Sequence, residues 1–291
     1  MKPFFKIIQE AEKKKTAIAH FNVATLEQMN AVARVARKMN APVVVGVSEG
    51  EWNFMGMRTL VALRDAYRRE GVLMYLNADH TRSLENVERV ASAGFDSIIF
   101  DAAHLPLEEN IVHTKSAVRI VKKHSSFFKR IIIEGELGYI GTSSKLLDSI
   151  PEGAAITGDF FTKPEDARRF IMETQVDMLA PAIGNIHGML KHMPNPHLDI
   201  GRIKDIRKSA NVPLVLHGGS GISEEDFTAA IDAGVSLIHI STELRVAWKK
   251  GIEDSLKEKP DEIAPYKILE KSVTNLEKVI EERMKLFLRT H

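Results

Sequence analysis

The sequence contains no cysteine. That excludes disulfides and thiolate metal sites, so any transition-metal site has to use histidine and carboxylate. An excess of one charge is missing too: 40 Lys and Arg face 39 Asp and Glu, for a net charge of +1. Such a balance gives no electrostatic case for nucleic acid or a membrane surface as a partner. No uninterrupted apolar run approaches membrane-spanning length. The N-terminus, Met1-Lys-Pro-Phe-Phe-Lys6, lacks the long apolar core and cleavage site of a secretory signal. Together these absences predict a cytoplasmic protein. No Gly-x-Gly-x-x-Gly follows the first strand-like run, which argues against an open dinucleotide-binding sheet.

What is present centres on Leu214-Val-Leu-His-Gly-Gly-Ser-Gly-Ile222. A short apolar run stops at His217, and three glycines within four residues follow. A helix then opens, with Ser223 as N-cap and Asp226 three residues on as an approximate capping box. Strand, glycine loop and helix N-terminus is a layout that directs bare N–H groups and a helix dipole at one anion.

The 291 residues, 44% of them hydrophobic, suffice for one large domain or two small ones. Eight strand-like runs recur, at 17–23, 42–48, 73–79, 97–101, 130–137, 178–184, 213–216 and 236–242, with helical periodicity between them. Eight such units are the arithmetic of an α/β protein of the (β/α)8 or TIM-barrel class. The expected organisation is a single domain over 1–291, with the barrel at about 17–256. An extra C-terminal helix at about 261–289 carries one apolar stripe, for the barrel's outside or a partner subunit. A glycine- and serine-rich connection over 138–162, which includes Ser143, has no clear period and reads as a lid on the active-site face.

In such barrels the strand C-termini converge on one mouth. The residues that fall there are Asn22, Ser48, Asp79, His80, Asp101, His104, His187, His217 and His239, with Glu134 and Glu136 on the fifth strand. A structural protein has no reason for that bias. A single loop histidine is ordinarily a hydrogen-bonded packing residue, but His80, His187 and His217 occupy equivalent strand ends. Three neutral imidazoles and an open position form a catalytic zinc arrangement. Asp79 reads as a support for its neighbour or as a base. Glu134 and Glu136 share one strand face and need a cation or a proton between them. His20, His113, His124, His192, His197 and His291 are expected on the surface or in packing roles.

Taken with Ala78-Asp79-His80, Phe100-Asp101, Glu134-Gly-Glu136-Leu-Gly138, Gly184-Asn-Ile-His-Gly188 with Lys191, His217-Gly-Gly-Ser-Gly221 and Ile240-Ser-Thr-Glu-Leu244, the chain resembles the class II, metal-dependent ketose-bisphosphate aldolases. The resemblance implies zinc on His80, His187 and His217, with Asp101 and Glu136 lining a second, inner metal position. It implies Asp79 as the acid/base that exchanges the C4-hydroxyl proton. It places Gly188, Lys191, Gly219, Ser220, Ser241 and Thr242 around the substrate's C1 phosphate, and Asn22, Ser48 and His239 among the substrate-binding groups. It also implies a monovalent cation near the phosphate loops and a homo-oligomer, dimer or tetramer. The expected reaction is reversible cleavage of a ketose 1,6-bisphosphate, fructose 1,6-bisphosphate leading, into dihydroxyacetone phosphate and an aldehyde such as glyceraldehyde 3-phosphate. The alternatives are the same chemistry on another phosphorylated ketose or keto acid, and a non-catalytic barrel that binds metal and phosphate.

Departures from the family pattern fall on the loop acid, which in the family protonates the nascent ketone fragment, and on the distal end of the substrate. The loop after the fifth strand, where the family usually reads Gly-Gly-Glu-Glu/Asp, runs Tyr139-Ile-Gly-Thr-Ser-Ser-Lys-Leu-Leu-Asp148 and lacks the acid pair. Asp148 and Glu152 are the nearest substitutes. His239 stands where the family has asparagine, Gly46 where it has glutamine, and Ala264-Pro-Tyr266 where an Asp-Pro-Arg segment reaches the distal phosphate.

Overall fold

A computed structural model describes residues 2–126, 130–142, 144–158 and 160–290. Ser143 and His291 lie outside the described residues. The chain begins with α1 (Phe4–Lys13) and enters the barrel with β1 (Ile18–Asn22), followed by α2 (Leu26–Met39) and β2 (Val43–Val47). Two helices, α3 (Glu49–Met55) and α4 (Met57–Arg69), lead to β3 (Met74–Thr81), α5 (Leu84–Ala93), β4 (Ser97–Phe100), α6 (Leu107–His124) and β5 (Ile132–Leu137). Then come β6 (Leu146–Leu147), α7 (Pro164–Thr174), β7 (Met178–Pro181), β8 (Met189–Leu190), α8 (Ile200–Ala210), β9 (Leu214–Leu216) and α9 (Glu224–Ala233). The chain finishes with β10 (Val235–Ile240), α10 (Thr242–Glu258), α11 (Pro265–Ile268) and α12 (Glu270–Leu288).

All strands but β6 and β8 close into one parallel barrel, in the order β1-β10-β9-β7-β5-β4-β3-β2. This is the TIM barrel expected from the eight apolar runs. Both faces of every barrel strand are covered, which is why the runs are nearly continuous rather than alternating. β6 and β8 form a separate two-residue parallel ribbon that ties the long connection after β5 to the loop after β7.

Period-two alternation gives the interior its layers. Ile18, Val44, Tyr75, Ile132 and Leu237 make an apolar floor, and α1 plugs it with Phe4, Ile7, Ile8 and Ala11. Full burial of each large side chain there contributes about 1.5–3 kcal/mol. Two residues up each strand stand His20, Gly46, Asn77, Glu134 and His239, and two further up stand Asn22, Asp79 and Glu136. The interior therefore changes from dry to polar along its axis, and the polar end is the C-terminal mouth.

The helix ends follow local rules. Ser83 and Ser223 cap α5 and α9 by accepting from Asn86 N and Asp226 N, both at 3.1 Å. The capping box at Ser223 is only half made. The Asp226 carboxylate turns away and accepts from His197 Nδ1 at 2.9 Å. The C-terminal stripe packs on the barrel's outside: α12 buries Leu276, Ile280, Met284 and Phe287 against α10 and α2. Tyr266 lies on α11 at 70% exposure, so the Ala-Pro-Tyr segment stands at the surface.

Candidate active site

The site begins with a break in alternation on β3. Asp79 and His80 are adjacent, and a regular strand would point them to opposite faces. His80 instead adopts φ 52°, a left-handed conformation costly for a non-glycine residue. The β3–β4 register shifts between Ala78 and Thr81 at the same point. The bulge turns both side chains into the mouth.

His80 meets the two other candidate histidines there. Its ring centroid lies 4.7 Å from that of His187 and 5.0 Å from that of His217. His80 Nε2 and His217 Nδ1 are 3.3 Å apart. Their other ring nitrogens are held by carboxylates. Asp101 Oδ2 is 3.1 Å and Glu136 Oε2 3.3 Å from His80 Nδ1, and Glu134 Oε1 is 2.8 Å from His217 Nε2. Carboxylates placed this way fix tautomer and ring orientation, as behind metal-bound histidines. His187 Nε2 is buried without a hydrogen-bond partner among the described residues.

Burial sets the charge states. It holds His217 down at about 3 and His187 well below its ordinary value, so both imidazoles are neutral donors. At His80 burial also pushes downward, but Asp79, Glu136 and Asp101 outweigh it and the ring titrates well above the usual histidine range. Burial, with Asp101 close by, raises Glu136 to about 7. The cluster thus wants one positive charge among converging imidazoles, and a divalent ion fits it. Donor atoms of His80, Glu136, His187 and His217 all lie within 4.8 Å of one another. The 3.3 Å separation of His80 Nε2 and His217 Nδ1 matches the edge of a tetrahedron built on bonds of about 2.0–2.1 Å.

Asp79 is 6% exposed. Its Oδ2 accepts from Asn22 Nδ2 at 2.7 Å, while Oδ1 is buried without a hydrogen-bond partner. Burial would raise this carboxyl, but His80, His239 and His20 hold it well below the usual range. It is an ionised carboxylate with one oxygen anchored by Asn22 and the other 3.6 Å from His239 Nδ1 and 3.7 Å from His80 Nε2.

A recess on one side of Asp79 and His187 is lined by Gly188, Gly219, Ser220, Ser241 and Thr242, with His239 beside them. The glycines there are sterically required. A Cβ on Gly218 would fall 2.1 Å from Ile186 O, and one on Gly219 would fall 2.6 Å from His239 O. Ser220 Oγ accepts from Ser241 N and Glu243 N, both at 3.2 Å, and so links this loop to the start of α10. Ser48 precedes α3, donates its N–H to Glu51 Oε2 at 2.7 Å, and lines a wider cavity on the other side.

Lys191 is not brought to the recess. Its ammonium pairs with Asp148 at 2.8 Å. With its side chain 77% exposed, Asp148 does not face the mouth either, and Glu152 is exposed. Asp101 and Glu136 sit against His80 as described. Sequence reasoning left His20 among the surface and packing histidines. It is fully buried, stacks on His239 with centroids 3.5 Å apart, and lies 3.1 Å through Nε2 from Asn77 Oδ1. Its alternation with Asn22 on β1 was the available signal. Arg82, Lys145 and Arg245, which line the wider cavity, were also missed.

A parallel barrel whose C-terminal mouth gathers braced imidazoles, an ionised carboxylate and a glycine-lined recess defines a metal-assisted enzyme of the TIM-barrel class. The family model for fructose-bisphosphate aldolase class-II matches residues 3–291. The chain belongs to that family, and it is an aldolase, a carbon–carbon lyase. It is 32% identical over 268 residues to the fructose-bisphosphate aldolase of Geobacillus stearothermophilus, covering 91% of this chain and 88% of that protein. It is also 32% identical over 289 residues to the 6-phospho-5-dehydro-2-deoxy-D-gluconate aldolase of Shouchella clausii (strain KSM-K16), covering 98% and 94%. Among solved structures it is similar to the YdjI aldolase from Escherichia coli K12, with a TM-score of 0.78, 28% identity and coverage of 97% and 95%. Class II membership implies a metal, in keeping with the donor set above. Among the described residues, no helix is long and apolar enough to cross a membrane.

Proposed function

We propose that the protein is a zinc-dependent aldolase that reversibly cleaves a ketose 1,6-bisphosphate, fructose 1,6-bisphosphate first, into dihydroxyacetone phosphate and glyceraldehyde 3-phosphate. The observation that carries this reading is the Asp79 carboxylate, with no hydrogen bond to its Oδ1, beside three converging imidazoles in one mouth. His80, His187 and His217 hold the metal, and Glu134, Glu136 and Asp101 keep the two braced rings aimed. When bound, zinc supplies a Lewis acid that stabilises the negative charge developing on the ketone half.

The remaining work falls to the chain's own groups. Asp79 takes the proton from the C4 hydroxyl as the C3–C4 bond breaks, and the bonding pair stays with the ketone half. Asn22 holds the other carboxylate oxygen, so the basic one keeps its direction. Gly188, Gly219, Ser220, Ser241 and Thr242 take the C1 phosphate, and His239 orients the substrate between phosphate and base. Clamping one end in this way places the scissile bond against Asp79. The Schiff-base route to the same products needs a buried lysine, and among the described residues no lysine is buried.

A second substrate is favoured by one observation. The family's distal-phosphate segment is replaced by Ala264-Pro-Tyr266, with Tyr266 at the surface, and a relative of equal identity is named for a keto-acid phosphate. The same cleavage on such a substrate uses every group above.

The test is cleavage of fructose 1,6-bisphosphate before and after chelation, with triose phosphate as readout. Activity lost to chelator and restored by zinc is the expected result. Activity indifferent to chelator would overturn the metal assignment. Inactivity with zinc bound, alongside cleavage of the keto-acid phosphate, would move the substrate to the second reading.

A further inference from the structure

The two recesses of the mouth share Asn22, Asp79, His80, Ser144 and His187. The reacting carbon atoms therefore lie at the junction. The smaller recess closes on the glycine-lined phosphate groups. The larger, a cavity of about 310 Å³, runs the opposite way. On the aldolase reading above, which this inference rests on, the larger cavity receives the half that leaves as aldehyde.

That cavity is lined by Arg82, Lys145 and Arg245, which come from the end of β3, the connection before β6, and α10. Arg245 is already committed: it donates to Glu51 Oε1 at 2.7 Å and to Ser144 O at 3.1 Å. The acid in the wall, Glu49, is committed as well, since its Oε1 accepts from Arg82 N at 3.1 Å and Asn86 Nδ2 at 2.9 Å. Arg82 spends only Nε, on Asp101 Oδ2 at 3.3 Å. No partner for its two Nη atoms, or for Lys145 Nζ, is found among the described residues. Two uncommitted cations thus flank the aldehyde end, on a chain whose C-terminal segment keeps its Ala-Pro-Tyr at the surface.

We infer that Arg82 and Lys145, rather than the C-terminal segment, are the residues that select the anionic end of the substrate's aldehyde half, phosphate or carboxylate. A guanidinium and an ammonium on separate elements can engage one terminal group from two sides, each through charge-assisted hydrogen bonds. A neutral-ended sugar would leave both without a partner, so the inference separates bisphosphates and keto-acid phosphates from ketose monophosphates.

The test measures binding apart from turnover. In zinc-loaded Asp79→Ala protein, titration calorimetry compares fructose 1-phosphate, whose tail is neutral, with fructose 1,6-bisphosphate and 6-phospho-5-dehydro-2-deoxygluconate. At least one anionic-tailed ligand should bind about 10-fold or more tighter than fructose 1-phosphate, and the tighter of the two identifies phosphate or carboxylate. Lys145→Gln should remove much of that margin while leaving fructose 1-phosphate affinity in place. Arg82→Gln should do the same, read second because Arg82 also touches Asp101. The margin should shrink with added salt, since both cations are solvent-accessible. Equal affinity for all three ligands would overturn the inference, as would a margin that survives both substitutions. Failure of the unmodified enzyme to cleave any of the three would instead count against the aldolase substrates proposed above, and the binding margin would still be read.

Discussion

Gly46 is where the interior has least room, and its replacement by alanine tests the layered barrel directly. A Cβ built there lies 2.0 Å from His20 Cε1 and 2.2 Å from His20 Nε2. His20 cannot retreat: it is fully buried, stacked on His239 at 3.5 Å and placed 3.1 Å from Asn77 Oδ1. Overpacking of this kind costs about 1–3 kcal/mol, and losing the Asn77 hydrogen bond adds about 0.5–1.5 kcal/mol. A total of roughly 1.5–4.5 kcal/mol lowers the melting temperature of a chain this size by roughly 3–18 °C. The assay is thermal unfolding of Gly46→Ala beside the unmodified protein. Adding His20→Ala to Gly46→Ala should recover part of the loss, because the clash disappears while a small cavity remains. An unshifted melting temperature in Gly46→Ala would refute the placement of His20 against β2, and with it the stack that positions His239.

Four further outcomes are expected. Glu134→Ala should weaken zinc binding about 10- to 100-fold, measured by competition with a chromophoric chelator, because His217 loses its brace. Asp79→Asn should lower kcat by about 10²–10⁴-fold with zinc content unchanged by elemental analysis; unchanged kcat would remove Asp79 as the base. Ser223→Ala should cost about 1 kcal/mol in a denaturant titration, through loss of the α9 cap. Finally, burial raises the Tyr75 hydroxyl to about 12 from its ordinary 10, and that hydroxyl donates to Lys2 O at 2.7 Å. Its stability contribution is complete below about pH 10 and is lost as pH rises through about 12. Tyr75→Phe should therefore flatten the fall in melting temperature across that window, and an identical fall in both proteins would show that Tyr75 does not drive it.

Most of the barrel was legible because its signal is redundant. Each parallel strand is an apolar run buried on both faces, and each is followed by a helical stripe. The three histidines could be grouped before any coordinates because equivalent strand ends converge in this fold. Other features carry weaker signals. The ribbon β6–β8 involves two residues on each side, too few for a period, and it depends on how two loops meet. The capping box of α3, Ser48 with Glu51, opens a helix of only seven residues, too short to show a clear period. The stripe Phe4, Ile7, Ile8 and Ala11 was readable as helix, but its role as a plug depends on the floor it meets. Lys191 shows a different limit: a motif fixes where a backbone position lies, whereas Asp148, on another loop, decides where the ammonium goes.

The charge pattern of the mouth ties these pieces together. Burying Asp79, Asp101, Glu134 and Glu136 in one place would be prohibitive if each were ionised and alone. The protein divides them instead. Burial pushes Glu134 well above the carboxylate range and Glu136 to about 7, so both favour the protonated form. Asp79 and Asp101 are held below it by neighbouring histidines, His80 above all. His80 therefore stands between the two ionised acids as the cluster's positive charge, with neutral His187 and His217 turned toward it. A divalent ion bound there would displace the His80 proton and so add one net charge to the cluster rather than two. Of these four acids, Asp79 is the ionised one that lines both the phosphate recess and the cavity beyond.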